Sequence, residues 1–193
     1  VVVCVPMGGQ AHLPDQSLVG HLVNFLPIRA DFDPAEPVNA QVARVAKAVM
    51  DEFDHGNYTL GTLINDLDVA RQLGRLPISE VQFNLERVPE GIALGKATAQ
   101  MKGNPKAGVN YDLFFNCVEG AEGVRIEVDY NVDLYDRSTI ERWVRHLDTL
   151  LCVVAETPER AIADLPLLSA PQELSLAQSN NETGAPFDRA ARI

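Results

Sequence analysis

Cysteine is scarce in this sequence, and its positions match no metal-binding or redox pattern. The 193 residues contain three cysteines, Cys4, Cys117 and Cys152, with no CxxC pair among them. An odd number of cysteines at long spacings argues against a disulfide framework. We therefore predict free thiols in a reducing compartment, and hence a cytoplasmic protein.

Long apolar runs and an excess of basic charge are also lacking. No run reaches the roughly 18 consecutive apolar residues that predict a membrane-spanning helix. The apolar start lacks both the basic segment of a signal peptide and an initiating methionine, so we expect the natural amino terminus to lie upstream. Lys plus Arg number 16 against 27 Asp plus Glu, a net charge of −11. Such a charge repels polyanions, so we expect neither nucleic acid nor membrane as a partner.

Self-contained catalytic motifs are missing as well. No histidine has a second one three or four residues away, so there is no HExxH zinc site; the four are His12, His21, His55 and His146. Neither a GxSxG elbow nor a phosphate-binding glycine loop occurs. Asp129, Asp133 and Asp136 lack the spacing of a calcium loop. We therefore predict no metal, no directly bound cofactor and no catalytic residue within this chain.

Two segments carry apolar residues at helical spacing. The first runs from Val38 to Phe53, and the second from Arg137 to Glu156. Asp136 is a suitable N-cap for the second, and Pro158 lies just beyond its end. A shorter helix is predicted over Thr59 to Leu67. A helical turn is also predicted over residues 18–23.

The predicted strands lie on both sides of these helices. A β-branched run, Val1 to Val5, predicts a buried strand, and residues 25–32 alternate as an extended segment in which Pro27 disfavours a central position. Residues 78–85 alternate in the same way, whereas residues 89–109 predict an irregular crossing. The clearest hairpin pairs residues 111–117 with 124–130, its charged positions predicted to face water at Arg125, Glu127 and Asp129.

This order of elements predicts an α/β (α+β layered) fold, a mixed sheet with helices packed on one face. Hydrophobic residues make up 46% of the chain and charged residues 22%, which is typical of a folded globular protein. The polar residues from 170 to 193 predict a linker or tail.

Three motifs in order resemble the condensation domains of nonribosomal peptide synthetases. Residues 19–29, VGHLVNFLPIR, are similar to the family's (I/V)GxFVNxLxxR motif. Residues 111–113, YDL, followed by a hairpin and then by DYNVDLYD at 129–136, resemble the FDL…YNTDLFD region. Residues 162–168, IADLPLL, resemble the segment that ends these domains. Beyond them, residues 180–187 are similar to the start of an adenylation domain.

Three departures accompany this resemblance. The HQDYPFE-like stretch is poorly matched by residues 54–60, and the RDxSRNPL stretch is reduced to residues 74–78. The HHxxxDG motif, which the family carries in its amino-terminal lobe, is absent from this chain. The resemblance therefore implies that residues 1–169 are the carboxy-terminal lobe, similar to chloramphenicol acetyltransferase, and that residues 170–193 lead to an adenylation domain.

The resemblance also implies an activity and partners. Condensation domains form an amide bond between aminoacyl or acyl thioesters carried on phosphopantetheine arms of donor and acceptor peptidyl carrier proteins. The implied partners are those carrier proteins, the amino-terminal condensation lobe and the adjacent adenylation domain. This chain is not expected to be active without the other lobe, which holds the catalytic histidines.

Six residues receive predicted roles from this resemblance. We expect His21 and Asn24 near the substrate tunnel. Arg29 and Asp112 are expected at the lobe interface or in structural roles, and Lys102 and Lys106 in contact with a carrier protein. Asn24 is polar within an apolar run, so it either has a buried partner or faces a cavity. A structural ion pair is the favoured role for Arg29.

Two alternatives stay open at this point. The first is a lobe of a related epimerization, cyclization or ester-forming acyltransferase, which the motif in the upstream lobe would distinguish. The second is a non-catalytic module that docks carrier proteins. The absence of a catalytic motif within this chain favours the second alternative.

Overall fold

The computed structural model describes residues 1–9, 17–70, 74–87, 92–99, 108 and 110–181. The described strands are β1 (Val2–Gly8), β2 (Val23–Arg29), β3 (Val81–Arg87), β4 (Ile92–Leu94), β5 (Ala97–Ala99), β6 (Leu113–Gly120) and β7 (Gly123–Tyr130). The described helices are α1 (Val38–Asp54), α2 (Leu60–Asp66), α3 (Arg137–Glu156) and α4 (Ala170–Asn181), with a short 3-10 helix at Ile162–Asp164.

A mixed sheet organises these elements. Its five strands follow the order β2-β1-β3-β6-β7. The three central strands are parallel to one another, and the two edge strands, β2 and β7, are antiparallel to their neighbours. Pro27 lies on the edge strand β2, where its missing N–H costs the ladder little. The predicted α/β fold with a mixed sheet is confirmed.

One face of the sheet is apolar and packs against α1. Met7, Leu26 and Ile28 are buried there. Val49 and Phe53, one helical turn apart on α1, pack against this cluster. Because side chains alternate along a strand, the residues between these core positions belong to the opposite face.

The two long helices have the predicted extents. α1 begins at the predicted Val38 and ends one residue beyond the predicted Phe53. α3 spans the predicted Arg137 to Glu156. Asp136 occupies the N-cap position, but its backbone carbonyl, not its side chain, accepts the first hydrogen bonds of the helix. The predicted short helix is α2, capped by the Thr59 hydroxyl, which accepts from Thr62 N at 3.1 Å.

The hairpin prediction is confirmed with a tighter turn. Leu113 pairs with Tyr130, and Gly120 pairs with Gly123, so β6 and β7 are joined by a two-residue loop. Gly123 has a φ of 119°, a backbone conformation that a side chain would disfavour. Arg125 and Glu127 are exposed, in agreement with the predicted wet side of the pair, whereas Asp129, predicted to face water with them, is half-buried.

Several local predictions were wrong. β3 begins at Val81, not at residue 78, because Ile78 has a φ of 78°, which interrupts the extended backbone. No helix is present in residues 17–22; turns and bends lead directly into β2. The segment predicted as an irregular crossing contains the paired strands β4 and β5. The polar tail contains helix α4, while its role as a linker stays a prediction.

Candidate functional site

The face of the sheet opposite α1 carries a cluster of polar side chains. Asn84 on β3 pairs in register with Asn116 on β6, and Asn116 pairs with Glu127 on β7. Directly paired residues share one face of a sheet, and residues two apart on a strand do so as well. Gln82 and Glu86 therefore lie on this face with Asn84. We call Gln82, Asn84, Glu86, Asn116 and Glu127 the polar face.

Hydrogen bonds join these side chains across three strands. Asn84 Nδ2 donates to Asn116 Oδ1 at 2.9 Å. Asn116 Nδ2 donates to Glu86 Oε1 at 3.0 Å and to Glu127 Oε2 at 3.4 Å. Arg125 Nε donates to Glu127 Oε1 at 3.0 Å, and its Nη2 lies 3.0 Å from the same oxygen. The network fixes the orientation of each amide, because carboxylates can only accept.

An aromatic pair and a buried thiol lie beside the polar face on the same side of the sheet. Cys4 on β1 pairs with Gln82 on β3, so both are on this face. The rings of Phe25 and Tyr111 are 5.8 Å apart in an edge-to-face arrangement. Burial raises the pKa of the Tyr111 hydroxyl, and the nearby Cys4 thiol adds to the effect. Burial also raises the pKa of Cys4, although its hydrogen bond with Ser79 opposes this. The Tyr111 hydroxyl and the Cys4 thiol are therefore both neutral, and they add no charge to this part of the face.

Asn24, a predicted tunnel residue, has its amide bonded to the backbone. Its Nδ2 donates to the carbonyl oxygens of Gly56 at 3.0 Å and Tyr58 at 3.3 Å. Its Oδ1 accepts from Phe25 N at 3.0 Å. The side chain thus joins the start of β2 to the connection between α1 and α2. Of the two sequence-based alternatives, these bonds match the one in which Asn24 has a buried partner.

His21, the other predicted tunnel residue, is exposed just before β2. The neighbouring backbone is tied down, because Gly9 N donates to Leu22 O at 2.8 Å. A Cβ on Gly9 would lie 2.7 Å from that same oxygen, so only glycine allows this close approach. His21 and Asn24 therefore both lie near the end of the sheet at which β1 ends.

Arg29 and Asp112 lie at the opposite end of the strands, where β1 begins. Arg29 pairs with Val2 in the sheet, and Asp112 precedes β6. The length of β1, about 20 Å, therefore separates these two residues from His21. Arg29 Nη2 lies 3.0 Å from Asp31 Oδ2, with both side chains more than 70% exposed, at 74% and 77%. An ion pair this exposed contributes little to stability. The fold-stabilising role of Arg29 therefore stays a prediction.

Asp112 is buried, and its side chain is 9% exposed. Its Oδ2 lies 3.8 Å from Arg75 Nη2 and accepts no hydrogen bond from the described residues. The same guanidinium contacts Glu80 Oε1 through Nη1 at 2.8 Å. A cleft of about 450 Å³ is lined by Arg75 and Glu80 together with the apolar Val2, Leu76 and Ile78. Polar and apolar atoms contribute about equally to this lining.

The predicted carrier contacts Lys102 and Lys106 lie outside the described residues. Lys96, a further basic residue considered for the same surface, is exposed between β4 and β5. Within the described ranges, no group of three or more His, Cys, Asp and Glu is arranged to hold a metal ion. None of the described helices has the length and hydropathy that crossing a membrane requires.

Sequence reasoning missed the polar face as a site. Its signals were the alternation that placed Gln82 and Asn84 on the same side of a predicted strand, and the charged side of the predicted hairpin, which includes Glu127. Their partners Asn116 and Glu127 are more than 30 residues further along the chain, and strand register decides which of them meet. That register is not visible in the periodicity of single segments.

Comparison with known proteins identifies relatives over the whole chain. A family model described as the condensation domain matches residues 1–176. Surfactin synthase subunit 1 of Bacillus subtilis (strain 168) is 31% identical over 194 residues, which covers 100% of this chain but 5% of that protein. The chain thus spans a small part of this relative.

Solved structures share the fold. The X-domain from teicoplanin biosynthesis is 25% identical, with a TM-score of 0.74, and the match covers 87% of this chain and 39% of that one. The first condensation domain of the CDA synthetase is 21% identical, with a TM-score of 0.69, and the match covers 88% of this chain and 38% of that one. The chain therefore spans about two fifths of these domains.

Proposed function

This chain belongs to the condensation domain family, and we propose that it is the carboxy-terminal lobe of a domain that forms amide bonds in a nonribosomal peptide synthetase. The family match over residues 1–176 carries this proposal. The share of 38% to 39% of single domain structures supports a lobe, since it is close to half of a domain. In this proposal residues 1–169 form the lobe, and residues 170–193 lead to an adenylation domain.

The proposed reaction joins two carrier-bound thioesters. The amine of the acceptor attacks the donor thioester carbonyl, the amide C–N bond forms, and the carbon–sulfur bond breaks to leave the donor arm as a thiol. The histidines of the HHxxxDG motif would come from the upstream lobe. This chain would supply one wall of the tunnel and hold the two arms in reacting geometry, which is a large source of rate.

Within this lobe we assign His21 to the tunnel mouth and Asn24 to its support. Asn24 supports the mouth because its amide holds the start of β2 against the connection between α1 and α2. We assign Asp112 to the lobe interface, where its buried Oδ2 could accept a hydrogen bond from the partner lobe. Arg29 makes its ion pair with Asp31 at the same end of the strands.

We propose carrier proteins and an adenylation domain as further partners in the cytoplasm. Lys102 and Lys106 would contact an acidic carrier protein, an attraction that the net charge of −11 would otherwise oppose. The phosphopantetheine arms belong to the carriers and enter as parts of the substrates, so the lobe itself needs no bound cofactor.

The test is an amide-forming assay with the complete domain, in which this chain is joined to its upstream half. Donor-loaded and acceptor-loaded carrier proteins are mixed with the domain, and the acceptor-bound product is measured by mass spectrometry. We expect product that requires both loaded carriers. Omission of either carrier, and replacement of the HHxxxDG histidines, are the controls.

Other outcomes would favour the alternatives. If both carriers bind and no product forms, the chain is a docking module. If the acceptor-bound residue changes configuration without a new amide, or an ester forms, the domain is a related acyltransferase. Each result would overturn the proposed amide-forming function.

A further inference from the structure

The hydrogen-bond network of the polar face determines which atom of Asn84 is available to a ligand. The carboxylates of Glu86 and Glu127 can only accept, so the group that Asn116 turns towards both of them must be its Nδ2. Asn116 Oδ1 therefore faces β3, and Asn84 must offer its own Nδ2 to it. Among the described residues, Asn84 Oδ1 receives no hydrogen bond. Its direction is set by the hydrogen bonds that run from Glu86 and Glu127 through Asn116 to Asn84, which we call the relay.

We infer that Asn84 Oδ1 accepts a hydrogen bond from an amide N–H of a carrier-borne substrate arm, which makes Asn84 a specificity-determining residue. The inference rests on the proposed function, because it needs an amide-bearing arm to cross the polar face. Asn84 is half-buried, so its free acceptor is both reachable and partly shielded from competing water.

The surroundings of Asn84 suit an extended chain with more than one amide. Gln82 lies two residues earlier on the same strand and face, about 6.6 Å away along β3. Gln82 is 8% exposed and carries a second side-chain amide. Phe25, whose ring packs against that of Tyr111, lies on the same face on β2. An arm lying along β3 would meet two amides in series.

The relay also explains why an uncharged amide, not a carboxylate, stands at this position. A carboxylate at residue 84 would face Asn116 Oδ1, and two acceptors would repel each other. The ion pair of Arg125 with Glu127 holds the far end of the relay. Asn84 thus keeps one orientation, and the face presents an acceptor without adding charge to the tunnel.

The test compares arms with and without an N–H group in the complete domain. The probes are acceptor aminoacyl pantetheine thioesters and two analogues in which one or the other amide nitrogen is replaced by ester oxygen. Each analogue keeps its carbonyl but cannot donate. The ratio of kcat/KM for the amide arm to that for the ester arm is measured in wild type, Asn84→Leu and Asn84→Val.

We expect wild type to prefer the amide arm about tenfold over at least one ester analogue, the equivalent of one hydrogen bond. In both variants the ratio should fall to about one. Because the ratio is taken within each variant, partial unfolding does not change it. Asn39→Ala, on the exposed surface of α1, is the control and should keep the wild-type ratio.

Three results would contradict the inference. Wild type could show no preference for either amide arm, or both variants could retain the wild-type preference. In either case the inference fails and the amide-forming function stands. If wild type forms no product with loaded carriers, the proposed function fails, and this inference fails with it.

Discussion

Replacing Asn24 with alanine should destabilise the fold, because its side chain joins two elements through backbone groups. The variant loses hydrogen bonds to Gly56 O at 3.0 Å and Tyr58 O at 3.3 Å, and the one that Phe25 N donates at 3.0 Å. At a net value near 1 kcal/mol for each bond, the expected loss is about 2–3 kcal/mol. Gly56 is buried, so its carbonyl would lose a partner with little access to water.

Urea unfolding of wild type and variant measures this loss. We expect a lower midpoint with an unchanged slope, since the variant alters stability and not the surface exposed on unfolding. The matched control is Asn39→Ala, which removes one exposed bond to Glu159 at 2.7 Å and should cost about 0.5 kcal/mol or less. A loss at Asn24 no larger than at Asn39 would refute the assignment of Asn24 as a joint between β2 and the helices.

Two further predictions concern packing and pH. Gly56→Ala should cost about 1–3 kcal/mol in thermal or urea unfolding, because a Cβ would overlap Met7 Cε and lie 2.7 Å from Met7 Sδ, in the core cluster where Met7 is buried. Gly61→Ala, whose Cβ would have its nearest neighbour at 3.8 Å, should stabilise by about 0.5–1 kcal/mol. Equal effects at the two sites would contradict the packing. Burial raises the pKa of Cys4 in the folded state, so the free energy of unfolding should decline as pH rises above the ordinary thiol value of about 8.5. Cys4→Ala should make this decline shallower, and an identical slope in the variant would show that the thiol does not cause it.

The long helices and the hairpin could be predicted because their signals are local. The apolar stripe of α1 repeats within one segment, as does the alternation of β6 and β7. Ile78 shows where local signals stop: it continues the alternation of β3, yet its backbone has a φ of 78°. β-branched residues rarely adopt this conformation, so the sequence offered no reason to end the strand there.

The contacts of the site could not be predicted, because they join segments far apart in the chain. Asn24 bonds to Gly56 and Tyr58, which are 32 and 34 residues away. Asn84 meets Asn116 only because β3 and β6 pair in one particular register. The polarity of Asn24 within an apolar run predicted either a buried partner or a cavity, and it did not decide between them. Motif resemblance supplied the family, which periodicity alone did not.

A three-way comparison of amide formation shows whether this lobe works only with its upstream half: the samples are this chain alone, the upstream half alone, and the two joined. Donor-loaded and acceptor-loaded carrier proteins are supplied to each sample at equal concentration. We expect product from the joined protein and none from either half, because this lobe orients the arms and the other carries the histidines. Product from this chain alone would mean that the chain holds its own active site, with His21 and His146 the first residues to replace.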